Sequence, residues 1–342
     1  MPILYRDPWR RQFFDHVSCP EGVIVPLKDY DAYESFPEFR WAYNKLLIAE
    51  KQGLLCAPHG VLPPHFPVFS KPIYNLNTMG ADSRILHNSA EYHEHRTAGH
   101  MWSELLVGEH ISTDVLVLDG SVVWHSHTRG HPLEEGTFDR WDVNVQCSEK
   151  LLLYLKGFIG QNFCNYSGSM NLETIAGKII EMHLRFADQW PDLYPADFLH
   201  AVVRLSSGTF SLLHSHALTP QPTGYSVVLF GRRGRSYWKK PAEQEIQSLL
   251  LRHHHVSSIQ LPFHEGQAAE QHSMPPGGFR LAVINGFDLE QCLAAREHLA
   301  ESFRIANTFS APVRVMNTRT SLARGLGTAT DCAAIAVVGA LS

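Results

Sequence analysis

The sequence predicts an α+β fold built on antiparallel strands, and three observations carry that prediction. Asp119-Gly120 stands between the β-rich runs Leu116–Leu118 and Ser121–Val123, the pattern of a tight hairpin turn. Residues 170–185 read MNLETIAGKIIEMHLR, two apolar extended runs that reverse at Ala176-Gly177-Lys178. Helical spacing is confined to separate stretches, LLIAEKQG after Tyr43-Asn44-Lys45 and DLEQCLAAREHLAESF, with Asp288 as the N-cap of the latter.

Taken in order, residues 1–40 are an entry extension with prolines and aromatics and one short strand at Val23-Ile24-Val25. Residues 41–110 form a smaller lobe: an amphipathic helix from Lys45, then a strand at Val68-Phe69 that ends at Lys71. Residues 111–215 form a larger lobe containing both hairpins. A turn-rich stretch from His214 to Gly224, with Pro220 and Pro222, separates a third unit over 216–305. There GYSVVLFG, SSIQLPF and FRLAVING read as strands before the closing helix. Residues 306–342 are poor in charge and rich in Ala, Gly and Thr, a tail or appendage. No internal repeat is present. A chain of 342 residues can bury a substantial core in two or three lobes.

Composition excludes some classes. A formal charge of -5 gives no basic footprint for nucleic acid, and GRRGR with Lys239-Lys240 reads as a solvated loop. No apolar run reaches the roughly eighteen residues of a membrane span, and MPILYRDPWRRQFF has no signal-peptide apolar stretch. The 6 cysteines form no CxxC pair, so free thiols in a reducing, cytoplasmic setting are expected.

The hairpin over 170–185 carries the chemistry. A glutamate among Ile179, Ile180 and Met182 is costly to desolvate and asks for a compensating cation or proton. Alternation puts Glu181, His183 and Arg185 on one strand face. If the turn closes as a three-residue loop with Gly177 left-handed, Glu173 lies opposite Glu181; a strict two-residue turn would pair Glu173 with Ile180 instead. Glu173, Glu181 and His183 are thus candidate metal ligands. The oxygens suit Mg²⁺ and the imidazole tilts the set toward Mn²⁺. Lys45 and Lys71, brought together from a helix and a strand, repel unless a polyanion such as a triphosphate lies between them. Leu105, Leu106 and Val107 can flank an adenine, and Glu109 or His110 can reach a ribose hydroxyl.

In this order the motifs NKLLIAEKQGL, FPVFSKP, SELLVGEHISTDV and LETIAGKIIEMHLR resemble those of the ATP-grasp enzymes. The resemblance runs from about Tyr43 to Arg185 and continues more weakly to about Phe303. It implies two α+β lobes holding ATP between antiparallel sheets, and a ligase that joins a small carboxylate to an amine through an acyl phosphate. Lys45 and Lys71 would contact the phosphates, Glu104 to Val107 would line the adenine, and Glu109 or His110 would fall near the ribose. Glu173 and Glu181 match the magnesium-binding acids. His183 stands where asparagine is usual, and Arg185 matches an arginine facing the phosphates or the acceptor carboxylate. The family's N-terminal α/β domain exceeds what residues 1–40 can build, so substrate recognition is expected to come from elsewhere.

Arg129, which follows the strand after the SELLVGEHISTDV hinge, is a candidate for the γ-phosphate or acyl group, with an ion pair to Glu134, Glu135 or Asp139 as the alternative. A rival constellation uses His125, His127 and His131 with His93, His95 and His253–His255, as in a zinc or iron hydrolase or oxygenase. A further alternative is an ATP-binding protein that does not catalyse ligation. A homodimer is the default assembly.

Overall fold

The structure is a computed structural model that describes residues 8–74, 76, 82–133, 138–231, 238–267, 272 and 279–306. The Asn75–Gly80 loop apart from Leu76, the arginines of GRRGR, Glu134 and Glu135, and the segment 307–342 lie outside the described residues.

Short helices α1 (Pro8–Arg11) and α2 (Asp29–Ser35) open the chain, followed by a 3₁₀ segment, Pro37–Tyr43. Val23–Val25, expected as a strand, joins no sheet; Val25 is instead buried with Phe14 and Leu27 in the core of the large sheet. Helix α3 (Lys45–Lys51) starts where Asn44 caps the backbone N–H of Leu47 at 3.0 Å.

Strands β1 (Cys56–Pro58), β2 (Val68–Pro72), β3 (Arg84–Leu86) and β4 (His100–Glu104), with α4 (Ser89–Glu94) before β4, make a four-stranded antiparallel sheet in the order β1-β4-β2-β3. Its core is Val68, Leu86, Tyr92 and Trp102.

The remaining strands build one eight-stranded antiparallel sheet in the order β11-β12-β10-β7-β6-β5-β8-β9. They are β5 (His110–Leu118), β6 (Ser121–Pro132), β7 (Phe138–Val143), β8 (Gly168–Ile175), β9 (Lys178–His183), β10 (Gly224–Gly231), β11 (Val256–Gln260) and β12 (Phe279–Gly286). β10 to β12, from the stretch read as a third unit, therefore continue the sheet begun by β5 to β9. The Asp119-Gly120 turn joins β5 to β6 with φ of 47° and 77°, as its sequence predicts.

Helix α5 (Glu149–Asn162) buries Leu151, Leu155, Phe158 and Ile159 against Ile111, Val115, Met170, Leu172 and Met182. Alternation then forces Ser112, Asp114, Asn171, Glu173, Glu181 and His183 onto the opposite face. That face is covered by the N-terminal segment and by residues 185–194, so every residue of β8 is buried although half of them are polar. Helices α6 (Phe198–Ser206) and α7 (Leu212–Ser215) follow, and α8 (Glu243–Arg252) and α9 (Leu289–Ala306) flank β10 to β12. Asp288 caps α9 through the N–H of Gln291 at 3.0 Å, as expected. Among the described residues no helix is long and apolar enough to cross a membrane, and Cys19, Cys56, Cys147, Cys164 and Cys292 are free thiols.

Candidate functional site

The β8–β9 hairpin turns on two residues, Ala176 and Gly177, with φ of 51° and 74°. The three-residue loop is thus replaced by a two-residue turn, and the irregularity the pairing needs lies further along. Ile175 pairs with Lys178 and Thr174 with Ile179, but Glu173 then pairs with Glu181, which leaves Ile180 as a bulge. Glu173 and Glu181 are direct cross-strand neighbours, and Asn171 faces His183.

The bulge is gripped by side chains at the end of α3, on α5 and on β2. The Gln52 side chain donates to the Ile179 carbonyl at 2.7 Å and accepts from its N–H at 2.8 Å, while Tyr154 donates to the same amide oxygen. Lys71, on β2, donates to the Ile180 carbonyl at 2.8 Å. Lys45, the first residue of α3, meets Glu181 at 2.8 Å with both side chains buried. Burial pushes the Lys71 ammonium down to about 7, and the charge of Lys45 adds to this against the pull of Glu181 and Glu173. Lys71 thus feels the charges of Lys45, Glu181 and Glu173, while Glu181 pairs with Lys45.

Glu173 is fully buried, which favours its neutral form. His110 at 3.2 Å and His183 at 3.8 Å nevertheless hold it well below the usual carboxylate range. The His183 ring is oriented by Asp29, the first residue of α2, whose Oδ1 lies 2.9 Å from Nδ1. The other Asp29 oxygen accepts from Arg185 at 3.0 Å. Burial works against a charged His183, but Asp29 outweighs it and the imidazolium persists to about 9. Asp29 itself is held down to about 2 by Arg185 and His183 despite its burial. Along the same face Asp114 accepts from Asn171 at 2.8 Å and from the Ala187 N–H at 3.1 Å, and burial raises it to about 6. Arg10 of α1 closes on Asp188 at 2.5 Å, and Arg280 of β12 donates to Gln189 at 2.8 Å.

The hinge residues are placed differently from one another. The Glu104 carboxylate accepts from the Leu55 N–H at 2.9 Å and ties β4 to the loop before β1. Leu106 packs on Ile175 and Ile180 beside the turn, Leu105 is half-buried, and Val107 is 69% exposed. Gly108 lies so close to the hairpin that a Cβ there would come within 2.9 Å of the Ala176 Cβ. His110, expected near the ribose, instead points inward to Glu173, because it shares the β5 face with Ser112 and Asp114. Arg129, expected at the phosphates, pairs in register with Ile111 and so projects from the other face. It forms a surface ion pair with Glu109 at 2.5 Å, which occupies the second residue expected near the ribose. Asp139 is bonded to Arg140 and Arg296 instead of Arg129.

The rival histidines do not converge. The His125 and His127 rings lie 5.4 Å apart on the α5 face, His127 bonds Thr113, His131 bonds Asp142, His95 bonds Arg84 and His253 bonds His298. Among the described residues no three His, Cys, Asp or Glu side chains are arranged to hold a metal ion. This holds also for Glu173, Glu181 and His183, because Glu181 is drawn to Lys45. Of the three, Glu173 and His183 stay beside each other as an ion pair at 3.8 Å. Nε2 of His183 is buried, makes no hydrogen bond and faces the Glu173 carboxylate. Its other ring nitrogen is anchored to the Asp29 carboxylate.

Sequence reasoning missed Asp29, Asp114, Asn171 and Arg10. The signal available for Asp29 was an acid at the start of LKDYDAYES followed by aromatics; nothing in it points to a partner 154 positions away.

No family model matches the sequence, and no curated protein matches it. Solved structures do match the fold. An L-amino acid ligase from Bacillus licheniformis superposes with a TM-score of 0.58 at 14% identity, covering 90% of this chain and 83% of that one. The biotin carboxylase domain of 2-oxoglutarate carboxylase from Hydrogenobacter thermophilus, in complex with MgADP, ADP and bicarbonate, gives 0.53 at 12% identity, covering 82% and 68%. N5-carboxyaminoimidazole ribonucleotide synthetase from Thermus thermophilus gives 0.51 at 13% identity, covering 82% of both chains. What these proteins share with this chain at such identities is the arrangement of two antiparallel sheets and their helices, and that arrangement is the ATP-grasp fold.

Proposed function

We propose that the chain is an ATP-dependent ligase that activates a small carboxylate as an acyl phosphate and passes the acyl group to an amine. The observation that carries this reading is the meeting of Lys45 and Lys71 from the small-lobe side with Glu173 and Glu181 of the large sheet. The named activities of the fold's neighbours agree with it: they include an L-amino acid ligase and a ribonucleotide synthetase.

In the first step an oxygen of the substrate carboxylate attacks the γ-phosphorus and the bond to the ADP oxygen breaks. In the second the amine attacks the acyl carbon, the C–N bond forms, phosphate leaves with the C–O electron pair, and the amine loses a proton to solvent. The chain's own groups act by charge and position. Lys45 and Lys71 hold the phosphate oxygens, Arg185 faces the anionic reactants along the same strand face, and Leu106 with Ile175 and Ile180 offers an apolar seat for the base. A divalent ion bound with the nucleotide, Mg²⁺ or Mn²⁺, would supply neutralisation of charge on the phosphates. No side-chain nucleophile is required.

The test is phosphate release from ATP across a panel of acid and amine pairs. Wild type is expected to release phosphate only with a matching pair. Glu181→Gln is expected to keep ATP binding and to lose turnover by about 100-fold or more, the scale of removing one electrostatic group. The pairing of Glu181 with Lys45 and the persistence of the His183 imidazolium favour a second reading, in which internal cations stand in for a metal and the protein binds ATP without ligation. ATP binding with no phosphate release over the whole panel would establish that reading instead.

A further inference from the structure

The acids of the hairpin are neutralised from within the chain. Glu181 is met by the Lys45 ammonium at 2.8 Å, and both side chains are buried. Glu173 is met at one oxygen by His110 at 3.2 Å and at the other by His183 at 3.8 Å. Asp29 accepts from Nδ1 of His183 at 2.9 Å and, on its other oxygen, from Arg185 at 3.0 Å; the same guanidinium lies 3.4 Å from Nδ1. The His183 ring thus stands between two buried carboxylates, Asp29 at Nδ1 and Glu173 at Nε2, an environment that keeps a proton on each nitrogen. Such a ring has no lone pair for an ion. A divalent ion entering here would have to displace Lys45 from Glu181 or a proton from His183, among the like charges of Lys45, His183 and Arg185. A polyanion meets the opposite condition. Each ammonium has three donors, and Lys45 gives one to Glu181 while Lys71 gives one to the Ile180 carbonyl.

We infer that His183, locked by Asp29, is a built-in cation standing where a protein-held divalent ion would otherwise balance Glu173, and that the chain binds its nucleoside triphosphate through Lys45 and Lys71 without such an ion. The inference rests on the nucleotide reading above and holds whether or not ligation follows. It concerns only how the charge of the hairpin acids is met on the protein side.

Equilibrium dialysis of ATP against the full-length chain, once in excess EDTA and once in excess Mg²⁺, tests this. Wild type is expected to bind ATP in EDTA at least as tightly as in Mg²⁺, because an ion riding on the phosphates lowers the charge that the lysines meet. Tightening by Mg²⁺ of about fivefold or more, the lower end of the coupling between two ligands, overturns the inference and leaves the nucleotide reading standing. His183→Asn removes the charge of the ring, keeps a donor for Asp29 and puts a neutral oxygen beside Glu173. ATP binding by this variant is expected to weaken in EDTA and to recover in Mg²⁺, again by about fivefold or more. A variant indifferent to Mg²⁺, or one whose loss Mg²⁺ does not restore, overturns the assignment to His183. The comparison on wild type needs no variant and decides the matter should His183→Asn not fold. Loss of the paramagnetic signal of free Mn²⁺ on adding wild type without nucleotide, abolished by Glu173→Gln, also overturns the inference. No ATP binding in either medium refutes the nucleotide reading itself, a result distinct from binding that appears only with Mg²⁺.

Discussion

His183 and Lys71 are both buried in one site, yet their proton affinities are displaced in opposite senses. His183 is raised from 6.5 to about 9, so the folded chain binds more protons than the unfolded one across that window, and stability falls as pH rises through it. Lys71 is lowered from 10.5 to about 7, so the folded chain binds fewer protons between those values, and stability rises with pH there. Between pH 7 and 9 the two oppose each other, each with a slope of at most about 1.4 kcal/mol per pH unit. Wild type is therefore expected to show a nearly level stability over this range by urea denaturation. Lys71→Met should expose the downward slope of His183, and His183→Asn the upward slope of Lys71. Equal profiles for all three proteins would contradict the assigned charge states.

The β8–β9 hairpin shows how far an element can be read from its letters. Alternation alone placed Glu181, His183 and Arg185 on one face, and the requirement that Glu173 face Glu181 demanded an irregularity. Its location was not legible, because a two-residue turn with a bulge at Ile180 and a three-residue loop give the same pairing at Glu173. What fixes the bulge is Gln52, 127 residues before Ile179, together with the Lys71 contact to Ile180. Gln52→Ala is expected to cost about 1–3 kcal/mol by leaving the Ile179 N–H and carbonyl without partners, and to speed amide exchange at Ile179 ahead of Leu172 and Met182. Protection at Ile179 unchanged in the variant would mean that the bulge holds itself. The misplacement of Arg129 has the same origin: the register begun at the Asp119-Gly120 turn shifts by one residue between Leu116 and Val117, which pairs Arg129 with Ile111 in place of His110 and so turns it to the other face.

For the whole molecule, the α+β class and antiparallel hairpins followed from the sequence, whereas the union of eight strands in one sheet did not. Local patterns mark where strands begin and turn, but the pairing of β7 with β10, across residues 144–223, depends on shared burial that no short window reveals. The N-terminal segment illustrates this best. Read as an entry extension, it puts Phe14, Val25 and Leu27 into the core with Trp141, Trp190 and Phe198 and delivers Arg10 and Asp29 to the polar face. Phe14→Ala is accordingly expected to lower global stability by about 3–5 kcal/mol in urea denaturation; a loss below about 1 kcal/mol would show the segment to be peripheral. The grip of Gln52 has a last consequence at this scale. A terminal strand with vacant peptide groups is a template on which a foreign strand can add. On β9 the vacancy at Ile179 is filled from within the same chain by a side-chain amide, and the Leu184 N–H just beyond the strand is taken by Tyr43 at 3.1 Å. Strand-to-strand accretion is thereby discouraged at the margin nearest the candidate catalytic groups.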